Sequence, residues 1–132
     1  MSQYSNNAIY TRIRESVLTA FPFANVTGTY TPTPSLFPTV FAREIGRFTP
    51  PRTQTLSNSQ EIAETTWEVQ VYSNLVPGAK EQAYALLDAV KTALRPLYLI
   101  ETMENPLDTA AGQCFILVAR FRRVIGSGED MP

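Results

Sequence analysis

The acidic side chains of this chain are the first residues to consider for chemistry, because the sequence contains no histidine. Without histidine, Ser-His and Cys-His nucleophile pairs cannot form. Acids three residues apart, Glu61 with Glu64 and Glu101 with Glu104, could offer oxygen ligands to a hard cation. Two acids on either side of a cleft, such as Glu68 and Glu101, could hydrolyse a glycosidic bond. The simpler interpretation of both patterns is surface carboxylates, and we expect no enzyme activity, no metal site and no cofactor.

Two further segments look reactive and have simpler explanations. The stretch Pro77-Gly78-Ala79-Lys80 places a lysine close to a glycine, but it lacks the spacing of a phosphate-binding loop. Its residue types are typical of a turn that starts a helix. Cys114, the single cysteine, lies in an apolar run, which favours a small buried hydrophobic residue over a nucleophile.

Three arginines lie close together near the end of the chain. Alternation along a strand puts Arg120 and Arg122 on one face and Arg123 on the other, so the three do not form a single phosphate-binding patch. We expect Arg120 and Arg122 to pair with acids of a neighbouring strand, such as Glu68, or with acids across a subunit boundary.

The composition favours one folded domain without a nucleic-acid or membrane role. The 132 residues are 44% hydrophobic and 17% charged, and 11 basic and 12 acidic residues give a net charge of −1. Such a balance offers no strongly positive field for DNA. No run of 18 apolar residues and no signal-peptide pattern occurs. We therefore expect a chain that folds in a reducing cytosol, with no membrane contact.

Hydrophobic periodicity predicts two helices and five strands. The helices are predicted at residues 6–21 and from residue 79 to the proline at 96. The strands are predicted at residues 24–30, 37–44, 63–72, 97–103 and 113–125, with a turn at 105–112. Residues 45–60 read as a long loop, because they combine two consecutive prolines with many hydroxyl and amide side chains.

These elements predict an α+β fold of order α-β-β-β-α-β-β, with a mostly antiparallel sheet covered on one face by two helices. We expect residues 1–126 to form a single domain and residues 127–132 to form a flexible tail. In the strand at 63–72, odd positions are expected to pack and even positions to meet water or a partner. The final strand is apolar on both faces at first, so we expect it in the middle of a sheet covered on both sides.

Two stretches of the sequence resemble a known family. These are TTWEVQVYSNLVPGAKEQAYALLDAVKTAL at residues 65–94 and LIETMENPLDTAAGQCFILVARFRRVIG at residues 99–126. They resemble the tail terminator proteins of long-tailed bacteriophages, also called tail completion, tail-to-head joining or minor capsid proteins. Strand 67–74, the helix after Gly78, residues 102–106 and residues 119–122 carry the likeness. The loop at 45–60 is longer than the family pattern leads one to expect.

The resemblance implies an α+β structural virion subunit that forms a ring, typically a hexamer. It implies three partners, namely other copies of the chain, the tail tube protein and a head completion or connector protein, with DNA passing through the lumen without specific contact. The residues expected to make subunit or partner contacts are Arg47, Phe48, Arg52, Glu64, Glu68, Gln70, Arg120 and Arg122.

Two other functions stay open at this point. One is a head-tail connector or neck protein of the same particle, which also forms a ring. The other is a small α+β enzyme or ligand-binding domain with a pocket under the long loop.

Overall fold

The computed structural model describes residues 6–29, 36–48, 63–108 and 114–125. In this part of the chain the elements are α1 (Asn6–Ala20), β1 (Asn25–Thr27), β2 (Thr39–Phe48), β3 (Ala63–Ser73), α2 (Ala79–Leu94), a 3-10 turn (Arg95–Leu97), β4 (Ile100–Asp108) and β5 (Phe115–Ile125). The predicted α+β class and the order α-β-β-β-α-β-β are confirmed.

The five strands form one sheet in the order β1-β2-β3-β5-β4. The short β1 runs parallel to β2, and the other neighbouring pairs are antiparallel. The helix α1 packs against β1 and β2, whereas α2 packs against β3 and β5. We call the sheet face under these helices the inner face and the opposite face the outer face.

The inner face carries the core, as the alternation of β3 predicted. Thr65, Trp67, Val69 and Val71 of β3 are fully buried. They meet apolar residues of the two helices, whose buried positions recur at helical spacing: Ile9, Ile13 and Val17 from α1, and Ala83, Leu86, Leu87, Val90 and Leu94 from α2. Ser16 of α1 donates a hydrogen bond to the Ala89 carbonyl of α2 at 2.7 Å, which fixes the two helices side by side.

The predicted loop at 45–60 starts too early. β2 continues to Phe48, opposite Glu64, after an irregularity between Glu44 and Gly46. This bulge interrupts the alternation on which the prediction depended, while backbone pairing goes on. The rest of that loop, residues 49–60, lies outside the described residues.

The predicted turn at 105–112 is also wrong in its first half. β4 extends to Asp108 and includes Pro106. A proline is tolerated there because β4 is an edge strand, where a missing N–H can point away from the sheet. Residues 109–112 lie outside the described part of the chain.

Three strand starts and the length of β1 also differ from prediction. β1 covers Asn25–Thr27 instead of 24–30, and β2 starts at Thr39 instead of 37. β4 starts at Ile100 because Arg95–Leu97 form a 3-10 turn, and β5 starts at Phe115 instead of 113. These ends depend on where neighbouring strands begin to pair.

The strand β5 lies inside the sheet, between β3 and β4, as predicted. On the inner face, its Leu117, Ala119 and Phe121 are buried. On the outer face, Ile116 and Val118 are only half-buried. We expected both faces of β5 to be covered, but no helix of the described residues packs on its outer face. Another protein segment could therefore pack on the outer face of β5.

Candidate functional site

A row of charged side chains crosses the outer face on three neighbouring strands. Arg43 of β2 is the direct partner of Glu68 of β3, and Glu68 is the direct partner of Arg120 of β5. We call these three residues the arginine row. Side chains directly opposite each other in a sheet lie on the same face, so the strand register alone brings the three charges together.

Glu68 is held by donors on several sides. The Arg120 Nε and Nη2 atoms both lie 3.1 Å from Glu68 Oε2, and Arg43 Nη2 lies 3.8 Å from Glu68 Oε1. The Gln70 amide donates to Glu68 Oε1 at 2.9 Å, and the Tyr72 hydroxyl donates to Gln70 Oε1 at 2.5 Å. Arg43 also stacks over Phe41, with 5.3 Å from its Cζ to the ring centre.

The acids of this face are shielded and its arginines are not. The side chain of Glu68 is 8% exposed, whereas those of Arg43 and Arg120 are 49% and 47% exposed. A second pair repeats this arrangement: Arg122, 56% exposed, lies 3.9 Å from Glu64, 16% exposed. The groups that meet solvent are therefore mainly guanidinium groups, and the surface is suited to an acidic partner.

This geometry confirms one prediction and corrects another. The expected pairing of Arg120 with Glu68 is present, and Arg123 lies on the inner face, where its Nη1 donates to the Leu97 carbonyl at 2.6 Å. However, the even positions of β3 are not uniformly wet, because Glu68 and Tyr72 are buried by their own neighbours.

The expected contact residues divide into three groups. Glu64, Glu68, Gln70, Arg120 and Arg122 lie together on the outer face. Arg47 lies on the inner face, where its Nε donates to Glu44 Oε2 at 2.8 Å, and the Thr65 hydroxyl donates to the same oxygen. Phe48 ends β2, and neither its side chain nor Arg52 belongs to the described part.

Sequence reasoning missed Arg43, which contributes half of the exposed charge in the arginine row. Side chains alternate along β2, so Arg43 and Glu44 point to opposite faces of the sheet. This alternation can be read from the sequence alone. Which acid Arg43 meets depends on the register between β2 and β3, and a single strand does not specify that register.

The acids considered for glycoside hydrolysis and for metal binding have other surroundings in the structure. Glu68 lies on the outer face, whereas Glu101 pairs with Phe121 on the inner face, so the two acids cannot line the same cleft. Glu101 and Glu104 instead hold Lys91 of α2 at 3.4 and 3.3 Å. Glu61 lies outside the described residues, and no group of three potential metal ligands occurs among the described ones.

The ionisation of Lys91 reflects this pairing. Burial is the largest single influence and lowers the pKa of Lys91, but the hydrogen bonds that Lys91 donates to Glu104 and Glu101 and the charges of both carboxylates together outweigh it. The pKa of Lys91 is therefore raised above its ordinary value of 10.5. Burial also raises the pKa of the half-buried Cys114 thiol, which keeps it protonated and poorly nucleophilic.

The surface depressions of the described residues include a groove between the two helices and a smaller cavity at the start of α1. A groove of about 660 Å³ runs between α1 and α2, lined by short side chains such as Ser16, Ala89 and Ala93 together with Arg12 and Glu15. A smaller cavity of about 350 Å³ lies at the start of α1, beside Asn7, Tyr10 and Trp67. Glu44, the carboxylate of the smaller cavity, is already bonded to Arg47 and Thr65.

Large exposed apolar side chains are concentrated at one end of the sheet. β1 and β2 begin at this end, β3 and β4 finish there, and β5 starts there. We call it the apolar end, and it carries Phe23, Leu36, Leu75, Val76 and Leu107. The most exposed is Val76, at 90%. Clustered exposed apolar side chains are typical of surfaces that bind other proteins.

Comparison with known proteins gave no match to a protein-family model and none to a curated protein. In the described part of the chain, neither helix has the length and apolar character needed to cross a membrane.

Proposed function

We propose that this chain is a structural protein of a bacteriophage virion, a tail terminator. In this proposal its copies form a ring, a hexamer, that caps the tail tube and joins it to the head. Its partners are the tail tube protein and a head completion protein, and DNA passes through the ring without specific contact. The likeness of residues 65–94 and 99–126 to that family supports the proposal, as does an α+β fold of the kind that the likeness implies.

The apolar end is the observation that carries the proposal. Five of the eight large exposed apolar side chains of the described residues lie at this one end of the sheet. Monomeric proteins in water rarely expose a cluster of large apolar side chains. A subunit stacked between a tail tube and a connector would bury these side chains in its contacts.

An assembly role fits the described surfaces better than a pocket enzyme does. The groove between α1 and α2 is lined mainly by short aliphatic and hydroxyl side chains, and the acids first considered for catalysis lie on opposite faces of the sheet. A ring requires two different patches on each subunit, because cyclic assemblies of more than two copies use heterologous contacts. The outer face and the helical layer are two such patches.

Electron microscopy of particles made without this protein tests the proposal. Overlong tails that carry no head support termination. Tails of normal length with leaking heads would assign the protein to the head-tail connector instead, and normal virions would exclude a role in the particle.

Light scattering of the purified chain provides a second measurement. A ring gives a species several times heavier than the 14.7 kDa chain. If the chain is monomeric alone, tails that were made without this protein should recruit it when they are added in excess. If the chain stays monomeric, does not bind tails and converts a small molecule, the protein is an enzyme with a pocket and the proposal is wrong.

A further inference from the structure

The solvent-facing ridge of α2 is acidic and has no partner among the described residues. Glu81, Ala85, Asp88 and Thr92 are all exposed and follow one another at helical spacing. This acidic ridge carries two carboxylates and no basic side chain. The lysine of the next turn, Lys91, points instead to Glu101 and Glu104 of β4.

The arginine row presents the opposite charge at a matching distance. Arg43 and Arg120 are separated by two strand spacings, which is about 10 Å. Glu81 and Asp88 are seven residues apart on a helix, which is also about 10 Å. Ala85 lies between the two acids, and its small side chain lets a helix approach the shielded Glu68 between the two arginines.

The dimensions of the two surfaces also agree. α2 has 16 residues and is about 24 Å long. A five-stranded sheet is about 19 Å wide from the first strand to the last. A helix laid across the strands therefore spans the outer face, where Ile116 and Val118 of β5 are still half-exposed.

We infer that the acidic ridge of α2 in one copy of the chain docks across the arginine row of the next copy. The inference rests on the proposed ring, and it names the contact that joins neighbouring subunits. The two patches are different, so the contact is heterologous and each copy offers one of each, as a ring requires. The docked helix also covers the apolar outer side of β5, which the sequence predicts to be covered.

Disulfide trapping tests this contact directly. In a Cys114→Ser background, Ala85→Cys labels the ridge of one protein and Thr66→Cys labels the outer face of a second protein with a different tag. Thr66 lies two residues before Glu68, on the same face. On mild oxidation of the mixture, we expect the mixed dimer to form about tenfold faster than either homodimer, a preference of about 1.4 kcal/mol.

Charge reversal provides the matched control. Asp88→Lys in the ridge protein should abolish the preference for the mixed dimer, whereas Glu15→Lys, the same charge change at an exposed position of α1, should leave it intact. Equal rates for mixed and like dimers would overturn the inference, as would equal effects of the two lysine substitutions.

The contact and the ring can fail separately. A ring seen by light scattering without preferential trapping would reject this contact and leave the proposed function standing. Preferential trapping by a protein whose absence leaves virions normal would reject the proposed function and leave the contact standing.

Discussion

Glu68 is a nearly buried carboxylate in the middle of a sheet face that has no helix over it in the described part of the chain. A buried charge is tolerated only when it is paired and hydrogen-bonded. Arg120 provides the closest pairing, Arg43 a longer one, and Gln70 occupies the second oxygen. The stability of the outer face therefore depends on the pairing of this acid with the arginines and the amide around it.

Replacing Arg120 with methionine should destabilise the fold, because Glu68 would lose its two shortest charged contacts. We expect the free energy of unfolding to fall by about 1–3 kcal/mol, below the cost for a fully buried pair because Arg43 and Gln70 remain. Chemical denaturation measures this change. The control is Arg122→Met, whose exposed pair with Glu64 should contribute less than about 0.5 kcal/mol. Equal effects would mean that Glu68 does not depend on Arg120.

Lys91 gives the fold a defined dependence on pH. Its pKa is raised in the folded state, so its ion pairs stabilise the protein fully below the ordinary pKa of 10.5 and are lost as the pH rises through the higher folded value. We expect thermal unfolding to separate the wild type from Lys91→Met at pH 9 and to bring the two together well above pH 10.5. If the difference in unfolding temperature between the two proteins stayed constant through this pH range, Lys91 would stabilise the fold by packing and not by its charge.

Among the elements, α2 begins at a position that requires glycine. Gly78 has a φ of 110° at the start of the helix. A Cβ there would lie 3.6 Å from Leu75 Cδ2 and 3.8 Å from Glu81 Oε2, both ordinary contacts, so a substitution costs backbone strain instead of steric overlap.

Gly78→Ala should therefore lower the free energy of unfolding by about 1–2 kcal/mol. Gly28→Ala is the matched control, since its Cβ would also make only ordinary contacts, 3.6 Å from the Tyr10 ring and 3.8 Å from the Ala42 carbonyl oxygen. Denaturant titration compares the two variants. If both lose the same stability, the left-handed conformation of Gly78 is not the reason.

An element could be predicted accurately from the sequence when its pattern lies within one segment of the chain. α1, β3 and the start of α2 were placed within one residue, because helical spacing and strict alternation are read from one segment. The ends of β2 and β4 were missed because a bulge and an edge position depend on neighbouring strands. Strand register is also non-local. It is the reason that the pairing of Arg43 was missed and that Glu68 was one of several possible partners of Arg120.

The edge strand β4 is poorly suited to recruit another strand. It contains Pro106, an irregularity between Glu101 and Met103, and three acidic residues. Each of these features discourages pairing with a further edge. Assembly of this protein is therefore expected through sheet faces, helices and turns, which agrees with the contact inferred between α2 and the outer face.

At the scale of the whole molecule, the apolar end should matter for assembly and not for folding. Val76→Asp removes the most exposed apolar side chain of that end, and we expect little change in thermal stability but fewer tails joined to heads when the variant complements a deletion. Tyr98→Asp is the control, because Tyr98 is 72% exposed just before β4 begins, at the opposite end of the sheet. Normal joining with Val76→Asp would show that this end is not the docking surface.

The ion pairs of Lys91 have a practical consequence for chemical labelling. The chain has two lysines, and Lys80 is exposed at the second residue of α2. Only the neutral amine attacks an amine-reactive dye, and Lys91 is both partly covered and held in its charged form by two carboxylates. At mildly alkaline pH a fluorophore should attach to the Lys80 side chain well before that of Lys91. This places a reporter on the native chain next to the turn at the apolar end.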